Sequence, residues 1–252
     1  MYAHFNTLSF CALTALAAVC SSAQAAPSTA TASIEQFRFE LVDLDLSDGV
    51  TPSISFTQQY WEVDSSGGGQ HQTYKTPATT SITTRFGAAG GSASDTGISS
   101  SAKVYHPVAK DGVYHKYSTN SYRITDFILS PNTQMIFTAL GTVSDLRQGK
   151  FDSSVARISM QGKLLDESGG WMDSFSKSYE TSAGSATLRM YGSLSTDGLA
   201  RSGRFDLTTY AFLAGPVSSV PEPSTYGMLL AGTFLVGAMA RRQRRTPAPD
   251  AA

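Results

Sequence analysis

The chain has 252 residues, with 19 Lys and Arg against 20 Asp and Glu, so its formal net charge is −1. This balance gives no long-range field for attracting a polyanion, which excludes nucleic-acid binding as the main function. The length suits one sizeable domain, and the abundance of Gly, Ser and Thr with few charges is typical of an exported β-protein.

The first 25 residues have the pattern of a signal peptide. An apolar run is followed by Ala23 and Ala25, the small side chains required at the −3 and −1 positions of a cleavage site. We therefore predict cleavage before Ala26, although the segment begins without any Lys or Arg. Lipidation of Cys20 is an alternative, which the bulky Val19 before it disfavours.

Cysteine content limits the chemistry of the mature chain. The only two cysteines are Cys11 and Cys20, and both lie in the segment that we predict to be removed. The mature protein would then have no disulfide, no cysteine–zinc site and no cysteine nucleophile. Its stability must come from an ordinary packed core.

Residues 26–219 are predicted to form one all-β domain, an antiparallel β-sandwich with jelly-roll strand order. About nine or ten short strands with turn signals between them, and no convincing helix, favour this architecture. Segments with a clear strand pattern are residues 37–45, 54–63, 101–105, 113–117, 122–129, 135–143, 155–165, 171–179, 185–194 and 201–212, and a weaker one lies at residues 82–86.

Four local features complete this prediction. Residues 26–33 are small and polar, which suggests a loose leader before the first strand. The Asp48-Gly49 turn should lie near the tip of a hairpin between the first two strands. Residues 65–70 (SSGGGQ) are predicted to form a flexible loop, and residues 87–91 contain too much glycine for regular structure.

An acidic segment at the end of the first predicted strand superficially resembles a calcium loop. Its carboxylates are Asp43, Asp45 and Asp48, followed by Gly49. In an EF-hand loop the third acid and the glycine would each come one residue earlier, and a glutamate would stand at position twelve. These residues are therefore weak metal candidates, and we expect solvated strand-end carboxylates and no metal site.

No pattern indicates catalysis. The histidines of the mature chain form neither H-x-x-x-H nor HExxH, and they are His71, His106 and His115. No Gly-x-Ser-x-Gly elbow is present. Carboxylates that could pair for glycoside hydrolysis are Asp166, Glu167 and Asp173, but a sandwich offers such pairs by chance. We expect no enzymatic activity and no cofactor.

Aromatic side chains on the predicted strands raise a second possibility. An aromatic ring has an apolar face and a polar edge, which suits stacking against a sugar. The candidates are Tyr60, Trp61, Tyr105, Tyr114, Tyr117, Tyr122, Trp171 and Tyr179. Most strand aromatics belong to the core, so a carbohydrate-binding module for exopolysaccharide is the alternative function, and a polysaccharide hydrolase is the third.

The chain ends in a tail of three parts over residues 220–245. The first part is Val220, Pro221, Glu222, Pro223 and Ser224, which the prolines should keep extended and accessible. Residues 223–240 carry no charged side chain, and a helix of this length spans about 27 Å, close to the hydrocarbon thickness of a bilayer. The last part is a basic stop, predicted to stay cytoplasmic, formed by Arg241, Arg242, Arg244 and Arg245.

This tail resembles the PEP-CTERM sorting signal of Gram-negative bacteria. The resemblance implies recognition by exosortase, a membrane-bound cysteine-protease-like enzyme, and routing to the cell surface or the exopolysaccharide matrix. Residues 246–252 are a departure, because such signals usually end near the basic cluster. A plain single-span anchor is the simpler alternative. We expect an exported, non-catalytic surface protein that its C-terminal helix holds in the membrane until processing.

Overall fold

A computed structural model describes residues 26–105, 114–148, 153–216 and 230–235 of the chain. Apart from a short helix at residues 230–235, the regular structure of these residues is β-strand. The strands are β1 (Ser28–Asp43), β2 (Ile54–Gly67), β3 (Gln70–Tyr74), β4 (Ala78–Thr83), β5 (Gly87–Ala93), β6 (Ile98–Val104), β7 (Tyr114–Leu129), β8 (Thr133–Leu146), β9 (Ser153–Leu165), β10 (Trp171–Thr181), β11 (Gly184–Ser195) and β12 (Arg201–Pro216).

The strands form two antiparallel sheets of six strands each. Sheet 1 has the order β11-β8-β1-β6-β5-β4, and sheet 2 has the order β10-β9-β12-β7-β2-β3. Buried side chains alternate with exposed ones along most strands, and the buried sets of the two sheets meet in the core. The prediction of an all-β antiparallel sandwich is confirmed. Most connections cross between the sheets, as jelly-roll order requires, and that finer assignment stays a prediction.

Aromatic rings fill the core at one end of the sandwich. Phe205 of β12 packs against both Phe37 and Phe137 of sheet 1, with ring centroids 4.5 Å and 4.7 Å away, and these two rings are 6.1 Å from each other. Phe175 of β10 extends this stack, because its ring centroid is 5.2 Å from that of Phe137. Large apolar side chains therefore separate the sheets where β1, β8 and β12 face each other.

Small side chains fill the other end, where alanines dominate the core around Tyr117. Between the two ends lies a layer of buried hydroxyls that bond each other across the sheets. Ser65 bonds Thr80 at 2.6 Å, and Ser100 bonds Thr209 at 2.8 Å. Because these four hydroxyls are paired, burying them carries little uncompensated desolvation cost.

Close approach of the sheets makes Gly91 of β5 a sensitive position. A Cβ atom there would lie 2.5 Å from the Ser99 carbonyl oxygen and 2.7 Å from the Thr119 side chain. We expect Gly91→Ala to lower the free energy of unfolding by about 1–3 kcal/mol, measured from urea midpoints. Gly198→Ala is the matched control, because a Cβ at Gly198 meets nothing within 4 Å. Equal midpoints for the two variants would contradict this packing.

The predicted hairpin between the first two strands is wrong. β1 pairs with β6 and β8 in sheet 1, whereas β2 pairs with β3 and β7 in sheet 2. The segment that contains Asp48 and Gly49 therefore crosses from one sheet to the other. The Ser130 amide, which donates to the Ser53 carbonyl at 3.0 Å, ties the end of this crossing to the turn between β7 and β8.

The predicted loose leader at residues 26–33 is also wrong, because β1 begins at Ser28. Ala30 and Ala32 are both buried, and small side chains fit where the two sheets lie close together. The alternation of Ala with Ser and Thr was therefore a strand signal. Strand prediction gives most weight to large β-branched and aromatic residues, so it misses a strand made of small residues.

Glycine misled two further predictions. Residues 65–70 are not a loop: β2 continues to Gly67, and a two-residue turn at Gly68 and Gly69, both with positive φ, leads directly into β3. Residues 87–91 lie in β5, a regular strand between β4 and β6. The segments predicted at 113–117 and 122–129 are one strand, β7, whereas the strands predicted from residue 135 onward are confirmed.

Candidate functional site

The residues predicted to direct export and sorting lie outside the described part of the chain. These are Ala23, Ala25, Val220, Pro221, Glu222, Pro223, Ser224, Arg241, Arg242, Arg244 and Arg245. The described helix at residues 230–235 falls inside the predicted span, and its Phe234 side chain is largely exposed. In the described ranges, no helix has the length and hydropathy that crossing a bilayer demands.

The carboxylates of the calcium-like segment stabilise local turns. Asp43 accepts the Asp45 amide at 3.0 Å, and Asp45 accepts both the amide and the hydroxyl of Ser47. Asp48 accepts the Val50 amide. β1 ends at Asp43, so Asp45 lies beyond the strand, whose predicted end at residue 45 is wrong. No group of three His, Cys, Asp or Glu side chains that could hold a metal ion occurs within the described ranges.

The other candidate acids do not converge either. Asp166 caps a turn by accepting the amides of Ser168 and Gly170, and the Ser168 hydroxyl lowers its pKa. Asp173 accepts the Ser195 amide at 2.8 Å, while Glu167 is exposed. Of the three histidines, His71 is exposed on β3, His115 stacks on Phe86 inside β7, and His106 lies outside the described residues.

The outer face of sheet 2 carries most of the exposed polar chemistry. Strand register arranges its side chains in rows that cross β10, β9, β12, β7 and β2. Near β2, neighbouring side chains of this face form hydrogen bonds with each other. The Tyr60 hydroxyl bonds Glu62, which raises the pKa of Tyr60 to about 12, and the Asn120 amide donates to the Tyr122 hydroxyl.

Near β10 the same face opens into a cleft of about 300 Å³, called here the Trp171 cleft. Its walls come from three neighbouring strands of sheet 2, and they are formed by Gln161, Gly162, Lys163, Trp171, Ser174, Phe175, Ser176, Arg204 and Asp206. Arg204 pairs in register with Lys163, and Asp206 with Gln161, so the ladder itself fixes these side chains as neighbours. The Trp171 side chain is 73% exposed.

The charged groups at the Trp171 cleft include one ion pair, Arg204 with Asp126, and one carboxylate, Asp206, that is not part of an ion pair within the described ranges. Arg204 donates two hydrogen bonds to Asp126, at 2.6 Å and 2.9 Å, and these lower the pKa of Asp126. Burial raises the pKa of Asp206, against the opposing effect of Arg204 and Lys163. One Asp206 oxygen, Oδ1, is buried and has no hydrogen-bond partner among the described residues. It is the acceptor that the lining of the Trp171 cleft leaves open.

Asp126 and Asp206 should respond to pH with opposite signs. The lowered folded-state pKa of Asp126 means that its ionised form stabilises the fold, and this contribution is lost as pH falls through that value. The raised folded-state pKa of Asp206 means that its ionised form destabilises the fold, and this penalty disappears as pH falls through that value.

We therefore expect Asp126→Asn to lower the urea midpoint at pH 7 and Asp206→Asn to raise it. Both differences should shrink as the pH approaches 2, where all carboxylates are protonated. Urea titrations at pH 7, 5 and 2 measure this. Midpoint shifts of the same sign in the two variants, or shifts independent of pH, would show that the assigned environments are wrong.

Sequence reasoning singled out Trp171 but missed Lys163, Arg204 and Asp206. A signal was present, because in β12 the polar Arg204 and Asp206 alternate with the buried Phe205 and Leu207. That alternation places the two charges on the outer face. It contains no information on which strands lie beside β12, and the cleft depends on those neighbours. Of the eight aromatic candidates, Tyr117 is a core residue, 1% exposed.

Comparison with solved structures gives only distant similarities. One is the enzymatically active domain of tailspike protein 4 from bacteriophage CBA120, with 14% identity and a TM-score of 0.16 over 44% of this chain. The chain spans 22% of that domain's length. Another is the CBM22-1-CBM22-2 tandem domain of Paenibacillus barcinonensis Xyn10C, with 8% identity, a TM-score of 0.20, and coverage of 76% of this chain and 79% of that one. These scores are too low to establish a shared fold.

No curated protein matches the chain. The family comparison, in contrast, identifies its C-terminal part, because residues 219–245 match the PEP-CTERM protein-sorting motif. This match confirms the resemblance seen in the proline tetrapeptide, the uncharged segment and the arginine cluster. The motif begins three positions after β12 ends at Pro216. The chain therefore carries a PEP-CTERM protein-sorting motif at residues 219–245.

Proposed function

We propose that this chain is an exported, non-catalytic protein of the cell surface or extracellular matrix, processed by exosortase through its C-terminal motif. The observation that carries the proposal is the match of residues 219–245 to the PEP-CTERM protein-sorting motif. That motif implies export and processing by exosortase, which is a membrane protein. The finer elements, which are removal of residues 1–25 and temporary anchoring through residues 223–240, belong to the proposal.

The non-catalytic part of the proposal is supported by the positions of the acidic side chains. Asp166 caps a turn, and Asp173 holds the backbone of the neighbouring β11. The Trp171 cleft has one carboxylate in its lining, Asp206, with no second acid or histidine beside it among the lining residues. General acid–base chemistry on a glycoside needs a pair of such groups facing the same bond.

Cell fractionation tests the sorting function. In cells that contain exosortase, we expect a shortened form of the chain outside the membrane fraction. In cells that lack the enzyme, a longer form should stay in the membrane fraction. An immunoblot against residues 26–216 follows both forms with one reagent. The same length and the same fraction in both strains would contradict the proposal.

A second candidate function is binding of a carbohydrate, and the observation that favours it is the exposed Trp171 ring beside a polar cleft on sheet 2. Sites that bind sugars combine an apolar surface with a few polar groups that fix orientation. A pull-down of the purified chain with insoluble polysaccharides tests this function. A chain that stays in the supernatant with every polymer would exclude it.

A further inference from the structure

We propose that the Trp171 cleft binds one neutral pyranose ring of a glycan, with the Trp171 indole as the stacking surface and Asp206 as the principal hydrogen-bond acceptor. The inference rests on the second candidate function and gives it a site and a ligand class. It is independent of the sorting function, because the cleft is built from β9, β10 and β12 alone.

Trp171 is placed to stack on a ligand. It is the first residue of β10, the edge strand of sheet 2, and 73% of its surface is exposed. The Lys163 ammonium lies 5.3 Å from the ring centroid, which covers part of the ring with a cation. An aromatic ring held this way at the mouth of a cleft packs against the apolar C–H face of a pyranose, a contact that water cannot make favourably.

Asp206 supplies the polar half of the recognition. Its Oδ1 is buried and has no hydrogen-bond partner among the described residues, which is costly unless a donor arrives. A sugar hydroxyl donates one hydrogen bond and accepts another. The sugar oxygen can accept a hydrogen bond from any of three donors that line the cleft, which are the Gln161 amide, the Ser176 hydroxyl and the Lys163 ammonium.

The charge balance selects a neutral ligand. Lys163 and Arg204 are offset by Asp206 in the lining and by Asp126, which pairs with Arg204 outside it, so the cleft together with Asp126 has no net formal charge. Arg204 already directs a bidentate pair of hydrogen bonds at Asp126. A phosphate, sulfate or uronate would have to break this pair and would face the Asp206 carboxylate. A neutral ring with hydroxyls avoids both costs.

The size of the cleft and its position in the fold also fit. A volume of about 300 Å³ is at the lower limit for ligand sites, which suits one ring. Asp206 lies ten residues before Pro216 on β12, or about 33 Å along the strand at about 3.3 Å per residue. The cleft is thus remote from the residue that leads into the sorting motif.

Ligand titration of the purified full-length chain in detergent tests the inference. The neutral probes are cellopentaose and mannopentaose, and the acidic probe is pentagalacturonate. Trp61 and Trp171 are the only tryptophans, so titrations in a Trp61→Phe background report on Trp171 alone. We expect a change in tryptophan emission with at least one neutral probe, and isothermal calorimetry gives its affinity.

Two variants and one control locate the binding. Trp171→Ala and Asp206→Asn should each weaken binding at least tenfold, because the first removes the stacking surface and the second removes the charged acceptor. Tyr191→Ala is the matched control, because Tyr191 is an exposed aromatic, 62% accessible, on β11 of the other sheet. Its affinity should stay within twofold of the parent.

Each other outcome has a defined meaning. Binding that survives both cleft variants would leave glycan binding in place and overturn the Trp171 cleft as its site. Preference for pentagalacturonate would overturn the neutral class. No binding of any probe, with normal processing in cells, would overturn this inference and leave the sorting function untouched.

Discussion

Replacing Pro221 and Glu222 with alanine should leave the chain unprocessed and held in the membrane fraction, with the released form reduced at least tenfold. Pro221 and Pro223 fix their own φ and disfavour helix in the residue before each, so we expect this segment to present an extended backbone to exosortase. The double variant removes the fixed φ of Pro221 and the carboxylate of Glu222, two features that exosortase would recognise, while Pro223 still keeps residue 222 out of the helical region. Immunoblots of the membrane and released fractions measure the effect.

The matched control for this pair is Pro247→Ala with Asp250→Ala. It removes one proline and one acid from the tail but lies beyond the matched motif, which ends at residue 245. Processing should be unchanged. If the Pro221 and Glu222 variant is processed as efficiently as this control, the proline tetrapeptide has no part in recognition.

Replacing Phe205 with alanine should have the largest effect on stability, about 3–5 kcal/mol. Phe205 is 2% exposed, and its ring packs against those of Phe37 and Phe137 in a cluster of three rings at the aromatic end of the core. Removing it leaves a cavity that three strands of two sheets surround. Because single domains are stable by only about 5–15 kcal/mol, the variant should be close to unfolding at 37 °C.

Phe56→Ala serves as the control for this substitution, because the Phe56 side chain is 45% exposed and gives up much less buried surface. Urea denaturation followed by tryptophan fluorescence and by circular dichroism gives both free energies of unfolding. A Phe205→Ala midpoint equal to that of Phe56→Ala would mean that the aromatic stack does not hold the sheets together.

The architecture was accessible from the sequence because strand periodicity is local. In β9 and β12 large apolar residues alternate with polar ones, and their positions follow directly from that period. The alanine end of the core has no such contrast. There, Ala30 alternates with Thr29 and Thr31, and the beginning of a strand of small residues was mistaken for a leader.

Which strands pair with each other could not be predicted from the sequence in the same way. The turn at Asp48-Gly49 has the composition of a hairpin, yet it joins β1 of sheet 1 to β2 of sheet 2. Turn composition reports a change in chain direction and carries no information on the sheet of the next strand. The same limit applies to the Trp171 cleft, whose Arg204 and Lys163 are neighbours only through the pairing of β12 with β9.

The sorting tail is the opposite case, since its chemistry is linear. A proline-rich recognition segment, an uncharged span and an arginine stop are read in order along the chain, so the resemblance could be recognised without a fold. In the proposed function, the sandwich is the domain that this motif would direct to the cell surface. Its free acceptor at Asp206 and its exposed Trp171 are the features through which the delivered domain would act.

Intact mass spectrometry of the chain recovered from the cell surface and medium tests the central claim most directly. Our account predicts a polypeptide that begins at Ala26 and lacks the arginine cluster at residues 241–245, with its new C-terminus inside or just before the matched motif. Recovery of the full 252-residue chain from the cytosol, with the first 25 residues and the tail both present, would contradict it.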